Sequence, residues 1–388
     1  MRNQRIYLDH QATTPLDPRV FEAMRPYFTE KFGNPASKSH PFGWEASEAV
    51  ERAREQVAAL VGAEPGEIVF TSGATEAVNL AIKGVAEMYA QRGRQIVTVA
   101  TEHRAVLDTC RALELAGFGI TRLGVGSDGL LSPDVLGAAL TADTILACVM
   151  QANNEIGVIQ DIAALGSICR EQRVFLFVDG AQSVGKVPVD VNAQQIDLLA
   201  ISGHKLYGPK GIGALYLRRR NPQVRLKAQL HGGGHERGRR SGTLPTPLIV
   251  GLGQACQLAG EELAGEAQRQ LSLRERLVAG ITAQLDGVRL NGHPNLRLAG
   301  NANLSFTGVD GAALLTRLTT IAVSSGSACT TEEAEPSHVL RALGLPDDLA
   351  AASIRFGLGR STTAEEIETA IALVVRVVRE LRGTPEGD

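Results

Sequence analysis

Aromatic residues make up only 4% of the 388 positions, too few for the stacking surface that binds single-stranded nucleic acid. Neither sign of charge dominates. A formal net charge of -3 gives no electrostatic reason to expect nucleic acid or an anionic membrane as a partner. Long apolar runs are also missing: the stretch 371–378 is interrupted by Arg376, and Met1-Arg2-Asn3-Gln4-Arg5-Ile6 is not the start of a signal peptide. The five cysteines, Cys110, Cys148, Cys169, Cys256 and Cys329, are odd in number, widely spaced and contain no CxxC. They read as reduced thiols of a cytoplasmic protein, not as a disulfide framework or a zinc site.

What is present is enough chain for a large core, and its length favours two domains. From about residue 46 to 217 helical and strand patterns alternate. Helices are expected over 47–61, 105–115 and 162–171, and strands over 68–70, 96–100, 145–150, 174–178 and 198–201. The strands are continuous apolar runs, as expected when helices cover both faces of a mostly parallel sheet. After about residue 255 the pattern changes. A long helical stretch, 257–285, leads into short strands at 303–306, 321–324 and 354–358 and a terminal helix over 364–382, which reads as a smaller α+β domain.

Certain polar residues fall where such a sheet binds ligands, beyond the carboxyl ends of its strands. Lys205, in Ser202-Gly203-His204-Lys205, follows a strand among small residues, where a partly desolvated amine can form a Schiff base. An isolated turn lysine is more often a solvated one. Asp179 ends another strand, where a carboxylate can pair with a protonated pyridine nitrogen, although aspartate is also a common turn residue. Thr71-Ser72-Gly73-Ala74-Thr75 joins a strand to a helix N-terminus, and its hydroxyls and free N–H groups form either a phosphate cradle or an ordinary capping turn. His103 follows a strand at the same edge, placed either to lie over a flat ring and move protons or to serve the fold. Four of the cysteines sit in apolar contexts, as packing residues do. Cys329 lies in Ser324-Ser325-Gly326-Ser327-Ala328-Cys329-Thr330-Thr331, a run of small residues with no apolar face to bury.

In this order the motifs resemble those of cysteine desulfurases of the NifS/IscS type, group I, in the class V aminotransferase superfamily. The likeness extends from Tyr7-Leu8-Asp9-His10-Gln11-Ala12-Thr13-Thr14-Pro15 to Ser353-Ile354-Arg355-Phe356. It includes Gly33-Asn34-Pro35, Thr101-Glu102-His103, Asn153-Asn154-Glu155-Ile156-Gly157 and His231-Gly232-Gly233-Gly234-His235-Glu236-Arg237. The resemblance implies an α/β protein with the fold type I architecture of pyridoxal-phosphate enzymes. A large cofactor-binding domain would span 15–255. A small α+β domain, 1–14 with 256–388, would carry the catalytic cysteine.

By the same resemblance, Lys205 carries pyridoxal 5'-phosphate, Asp179 pairs with the ring nitrogen, Gln182 bonds the phenolic oxygen and His103 stacks on the ring. Ala74, Thr75, Ser202 and His204 hold the phosphate, joined by Thr243 from the other subunit of a homodimer. Asn154, Arg355 and Asn34 position L-cysteine, with Arg355 gripping its carboxylate, for which a guanidinium fork is suited. Lys205 removes the Cα proton, His103 moves protons, and Cys329 takes the sulfur as a persulfide, yielding alanine. The persulfide then passes to an acceptor such as an iron–sulfur scaffold or a sulfur carrier. Two departures from the common pattern are Gly180 and Gln151-Ala152. The tri-glycine segment 232–234 reads as a flexible turn and not as a metal pair. Rival readings are another class V enzyme, such as a selenocysteine lyase or an aminotransferase, and a non-catalytic sulfur-trafficking subunit.

Overall fold

The computed structural model describes residues 5–325 and 336–383. Strand β1 (Ile6–Tyr7) belongs to the far end of the chain in space, and the main sheet begins after it. Seven strands form that sheet: β2 (Ile68–Thr71), β3 (Gln95–Val99), β4 (Gly119–Leu123), β5 (Thr144–Met150), β6 (Phe175–Asp179), β7 (Leu198–Ser202) and β8 (Gly213–Leu217). Their order is β2-β8-β7-β6-β5-β3-β4. All neighbours are parallel except β8, which runs antiparallel to both β7 and β2. Thus β2, β3, β5, β6 and β7 end at one edge.

The continuous apolar runs follow from burial on both faces. In β6 and β7, Leu176, Val178, Leu199 and Ile201 enter one core, while Phe175, Phe177, Leu198 and Ala200 enter another on the opposite face. Each strand residue alternates between faces, so one run feeds two cores. Helices Pro41–Val61, Ala74–Tyr89, Arg104–Leu115 and Ile162–Glu171 flank the sheet. The helix expected over 47–61 starts six residues earlier, because Pro41 occupies its first turn and His40 Nδ1 accepts the Gly43 N–H.

Helix Thr246–Thr282 begins well before the expected 257 and joins the two halves of the molecule. Its first part packs Ile249, Leu252, Ala255 and Cys256 into the main core, and its last part puts Leu273, Leu277 and Ile281 into a third core. Small residues permit the approach to helix Pro41–Val61: a Cβ on Gly253 would lie 2.7 Å from the Ala53 Cα.

The third core lies under a second, four-stranded sheet of β9 (Val288–Leu290), β10 (Asn301–Phe306), β12 (Ser324–Ser325) and β13 (Ser353–Gly357), ordered β12-β13-β10-β9. The strand expected over 321–324 is in fact two. Its first half, β11 (Ile321–Ala322), pairs with β1 in a separate parallel ladder. Ile6 and Leu8 thereby join the core of the C-terminal residues. The terminal helix Ala364–Leu381 begins with a capping box between Thr363 and Glu366 and buries Ile367, Ile371, Val374 and Val378 beneath this sheet.

Candidate active site

At the carboxyl edge of the main sheet lies a cleft of about 460 Å³, within the usual range for a small-molecule site. Its walls include Ala74, Thr75, His103, Asn154, Asp179, Gln182, Ser202, His204, Lys205 and Arg355. Sequence motifs scattered over nearly 300 positions thus converge on one cavity. Two expected residues are not in it. Asn34 is exposed, with Oδ1 accepting the Ala36 N–H, and Thr243 is exposed beyond the rim of its own chain's cleft. Cys329 lies outside the described residues.

Lys205 follows β7 in a short 3-10 turn, and its Nζ donates to the carbonyls of Gln11 at 2.6 Å and Ala12 at 2.7 Å. Asp179, at the end of β6 and almost fully buried, accepts the Ala181 N–H through Oδ1 at 2.9 Å and no other hydrogen bond among the described residues. The rest of its carboxylate faces the cleft wall. His103 caps helix Arg104–Leu115, its Nδ1 accepting the Ala105 N–H at 3.1 Å, which leaves Nε2 to carry the proton of the neutral ring. Burial holds its pKa below the ordinary value; the Asp179 charge opposes this and the Lys205 charge adds to it. His204 bonds Thr13 Oγ1 through Nδ1 at 3.0 Å and is pulled down to about 4 by burial and the nearby Lys205, Lys210 and Lys186 charges.

The phosphate cradle is visible in the backbone. Helix Ala74–Tyr89 starts after Gly73 without a side-chain cap, so its first-turn N–H groups have no partner within the helix. Gly73 has φ 153°, and a Cβ there would meet nothing within 4 Å, so open space lies against the turn. Gly213 in β8 must also be small, since its Cβ would come within 2.7 Å of the Gly73 Cα. Free N–H groups, a helix N-terminus and the Thr75 and Ser202 hydroxyls suit an anion. His103 and Asp179 line the same cleft, an imidazole and a carboxylate whose chemistry suits a flat pyridine ring. These residues therefore fit pyridoxal phosphate on their own chemistry.

Across the cleft, β13 presents Arg355. Its Nη1 donates to the Asn154 carbonyl at 2.9 Å and its Nη2 to Asp9 Oδ1 at 2.6 Å, while its buried Nε has no partner among the described residues. Asp9 was missed by residue-level reasoning: it lies in the N-terminal motif, but only the fold shows that this segment reaches Arg355. The carbonyls of Gln11 and Ala12 were missed for a plainer reason, since backbone atoms leave no trace in residue identity.

The other four cysteines are buried, Cys169 and Cys256 in one core and Cys110 and Cys148 in the other. Burial pushes the thiols of Cys169 and Cys256 up to about 12, which leaves them without thiolate character.

A lysine and an aspartate converging below a phosphate-shaped helix start define a fold type I pyridoxal-phosphate protein. Residues 6–369 match the family described as aminotransferase class-V, whose members are pyridoxal-phosphate enzymes, and the chain belongs to that family. It is 58% identical over 377 residues to a cysteine desulfurase IscS of Methylococcus capsulatus, covering 97% of this chain and 93% of that one. A cysteine desulfurase IscS of Neisseria meningitidis is 57% identical over 377 residues, with the same coverage. Among solved structures, a NifS-like protein superposes with a TM-score of 0.90 at 36% identity, covering 97% of this chain and all of that one. A structure of SspA in complex with cysteine gives a TM-score of 0.83 at 38% identity, covering 92% of this chain and 100% of that chain.

Proposed function

We infer that this chain is a pyridoxal-phosphate-dependent cysteine desulfurase, converting L-cysteine to L-alanine and passing the sulfur to Cys329. The observation that carries the reading is the convergence of Lys205, Asp179, His103 and Arg355 on one cleft, in a chain 56–58% identical to desulfurases along nearly its full length.

Lys205 would hold the cofactor covalently through Nζ, with the free N–H groups of the 73–76 turn, Thr75, Ser202 and His204 around its phosphate. Asp179 would face the ring nitrogen, Gln182 the phenolic oxygen and His103 the ring face. When bound, the cofactor supplies an electron sink for the pair left at the substrate Cα after proton loss. Arg355 would bind the substrate carboxylate through Nε and the free hydrogen of Nη2, a side-on fork already rigidified by Asp9 and the Asn154 carbonyl. Once Lys205 is released, its Nζ serves as the base at Cα; the Gln11 and Ala12 carbonyls give it a resting place within the cleft. His103, neutral with its proton on Nε2, presents a hydrogen-bond donor to the cleft.

Cys329 as thiolate would attack the substrate sulfur. A new S–S bond forms, the Cβ–S bond breaks with its electron pair going to Cβ, and protonation there gives alanine. The described residues on both sides of this cysteine support its role. β12 runs antiparallel to β13 with Ser324 opposite Arg355, so the chain approaches the cysteine beside the carboxylate-binding arginine. On the return side Ser337 Oγ bonds Glu155, and His338 Nε2 donates to the carbonyl of Glu102, next to His103.

The functional domains we assign are 15–255 for cofactor binding and 1–14 with 256–388 for the cysteine segment. Thr243, exposed at the surface, completes the phosphate site of a partner in a homodimer, and the persulfide passes to a scaffold or carrier protein. No described helix is long and apolar enough to cross a membrane. The experiment is absorbance of the purified protein with and without Lys205→Ala: the wild type carries a visible cofactor band, and the variant loses that band after dialysis. A wild type that binds no pyridoxal phosphate would contradict the assignment.

A further inference from the structure

Behind the wall of the cleft that carries Gln182 lies a second, much smaller cavity of about 40 Å³, lined by His10, Gln11, Lys186, Glu262 and Glu266 among others. Lys186 reaches from this side toward the site. Its Nζ donates to Gln182 Oε1 at 2.6 Å, and Gln182 Nε2 donates to the Gln11 carbonyl at 2.8 Å. That carbonyl also takes the Nζ of Lys205. Among the described residues no carboxylate lies within ion-pair distance of Lys186. Its charge therefore acts on the glutamine and not on a counter-ion. Burial, with the Lys205 and Arg355 charges nearby, pulls its pKa down to about 7.

A side-chain amide has one acceptor end and one donor end, and which way it points is decided by its neighbours. Below a pH of about 7 Lys186 is an ammonium, which has donors only, so it claims Oε1. The Gln11 carbonyl has acceptors only, so it claims one hydrogen of Nε2. The amide is thereby fixed with its second N–H hydrogen free, and Gln182 lines the cleft. We propose that Lys186 is a positioning residue for the cofactor: it locks Gln182 so that an N–H, and not a carbonyl oxygen, is presented to the phenolic oxygen of the pyridoxal ring. The proposal rests on the cofactor site assigned above. Without Lys186 the buried Oε1 loses its donor, and rotation of the amide would set an acceptor against an anionic oxygen.

The test uses the holoprotein as isolated, comparing wild type with Lys186→Met, Gln182→Ala and the double variant. The readouts are the rate of cofactor release on dialysis and the visible circular dichroism band of the bound cofactor. Lys186→Met, similar in length and free of donors, should release cofactor about ten times faster and shift the band. In the Gln182→Ala background the same change should add nothing, because the lysine acts through the glutamine. Lys186→Arg, which keeps donors only, should behave as wild type. If Lys186→Met does not fold, Lys186→Gln is compared with Lys186→Arg. A glutamine can offer either amide end and so releases the lock, and cofactor should leave faster than from the arginine variant. Equal release from wild type and Lys186→Met, equal release from Lys186→Gln and Lys186→Arg, or full additivity with Gln182→Ala would overturn the proposal. A wild type without cofactor would instead overturn the site assignment on which it rests.

Discussion

Two buried arginines in this molecule do opposite kinds of work, and the difference is visible in their hydrogen bonds. Arg54, in the helix Pro41–Val61, uses every part of its guanidinium: Nη1 to the Ile68 carbonyl and Glu236, Nη2 to Glu236, and Nε to Glu51. It also lies over the Phe70 ring, 4.7 Å from its centre. Glu236 in turn accepts the Phe70 N–H. Four of the five Arg54 N–H groups are thereby bonded within the fold. Arg355 is as deeply buried, yet among the described residues it has one carboxylate partner, one backbone carbonyl and no partner for Nε. A closed network holds the fold; an open one, aimed into a cleft, waits for a substrate.

The largest effect belongs to the open region. Lys205→Ala should abolish cofactor retention and lower turnover roughly a thousand-fold or more, measured as alanine formed from L-cysteine, with unfolding temperature in the apo form nearly unchanged. Next is the closed region. Arg54→Met strands a buried Glu236 and should cost about 3–5 kcal/mol of stability in denaturant titration, while the protein that remains folded keeps its KM. A rise in KM without loss of stability would break the comparison. Arg355→Lys should do the reverse, raising KM for L-cysteine about ten- to a hundred-fold with little change in unfolding midpoint, because one ammonium cannot reproduce the fork. A last effect, spread over a range of pH, concerns His10, buried behind the site with neither ring nitrogen partnered among the described residues. Burial, with the Lys186 and Arg269 charges, pulls it down to about 4 from 6.5. A folded pKa below the unfolded one means its contribution is complete above pH 6.5 and is lost as pH falls through 4. Stability should therefore drop by up to about 3 kcal/mol over that window, and His10→Phe should flatten this part of the profile.

Five of the seven strands of the main sheet were legible in the sequence because they are buried on both faces and read as unbroken apolar runs; β8 (Gly213–Leu217), just as buried, was missed because only three bulky residues follow its opening glycine and alanine. Helix 162–171 and strand 145–150 matched to within a residue for the same reason. β4 was missed: Gly119–Leu123 is a partly exposed edge strand with Arg122 on it, and an edge leaves a weak apolar pattern. The start of the long helix at Thr246 was also missed, since Pro247, Gly251 and Gly253 break up an apolar run of Leu248, Ile249, Val250 and Leu252 that shows no amphipathic periodicity. Within the site, most of the side chains that line the cleft could be read from residue type and motif, Asn34 and Thr243 being the expected residues, among those described, that do not line it. Asp9, Lys186 and the Gln11 carbonyl could not. Their roles depend on which strand end or turn faces which, and Lys186 sits in Ser183-Val184-Gly185-Lys186 with nothing in its surroundings to separate it from a surface lysine.

The central claim is that the cleft delivers substrate sulfur to Cys329. It is tested most directly by anaerobic turnover of L-cysteine, with alanine and sulfide quantified for wild type and Cys329→Ala side by side in the presence of a thiol reductant. The account predicts equal alanine and sulfide from wild type and loss of both in the variant, with the cofactor band retained. Alanine from the variant at the wild-type rate would contradict it and leave another class V reaction as the better description of the cleft.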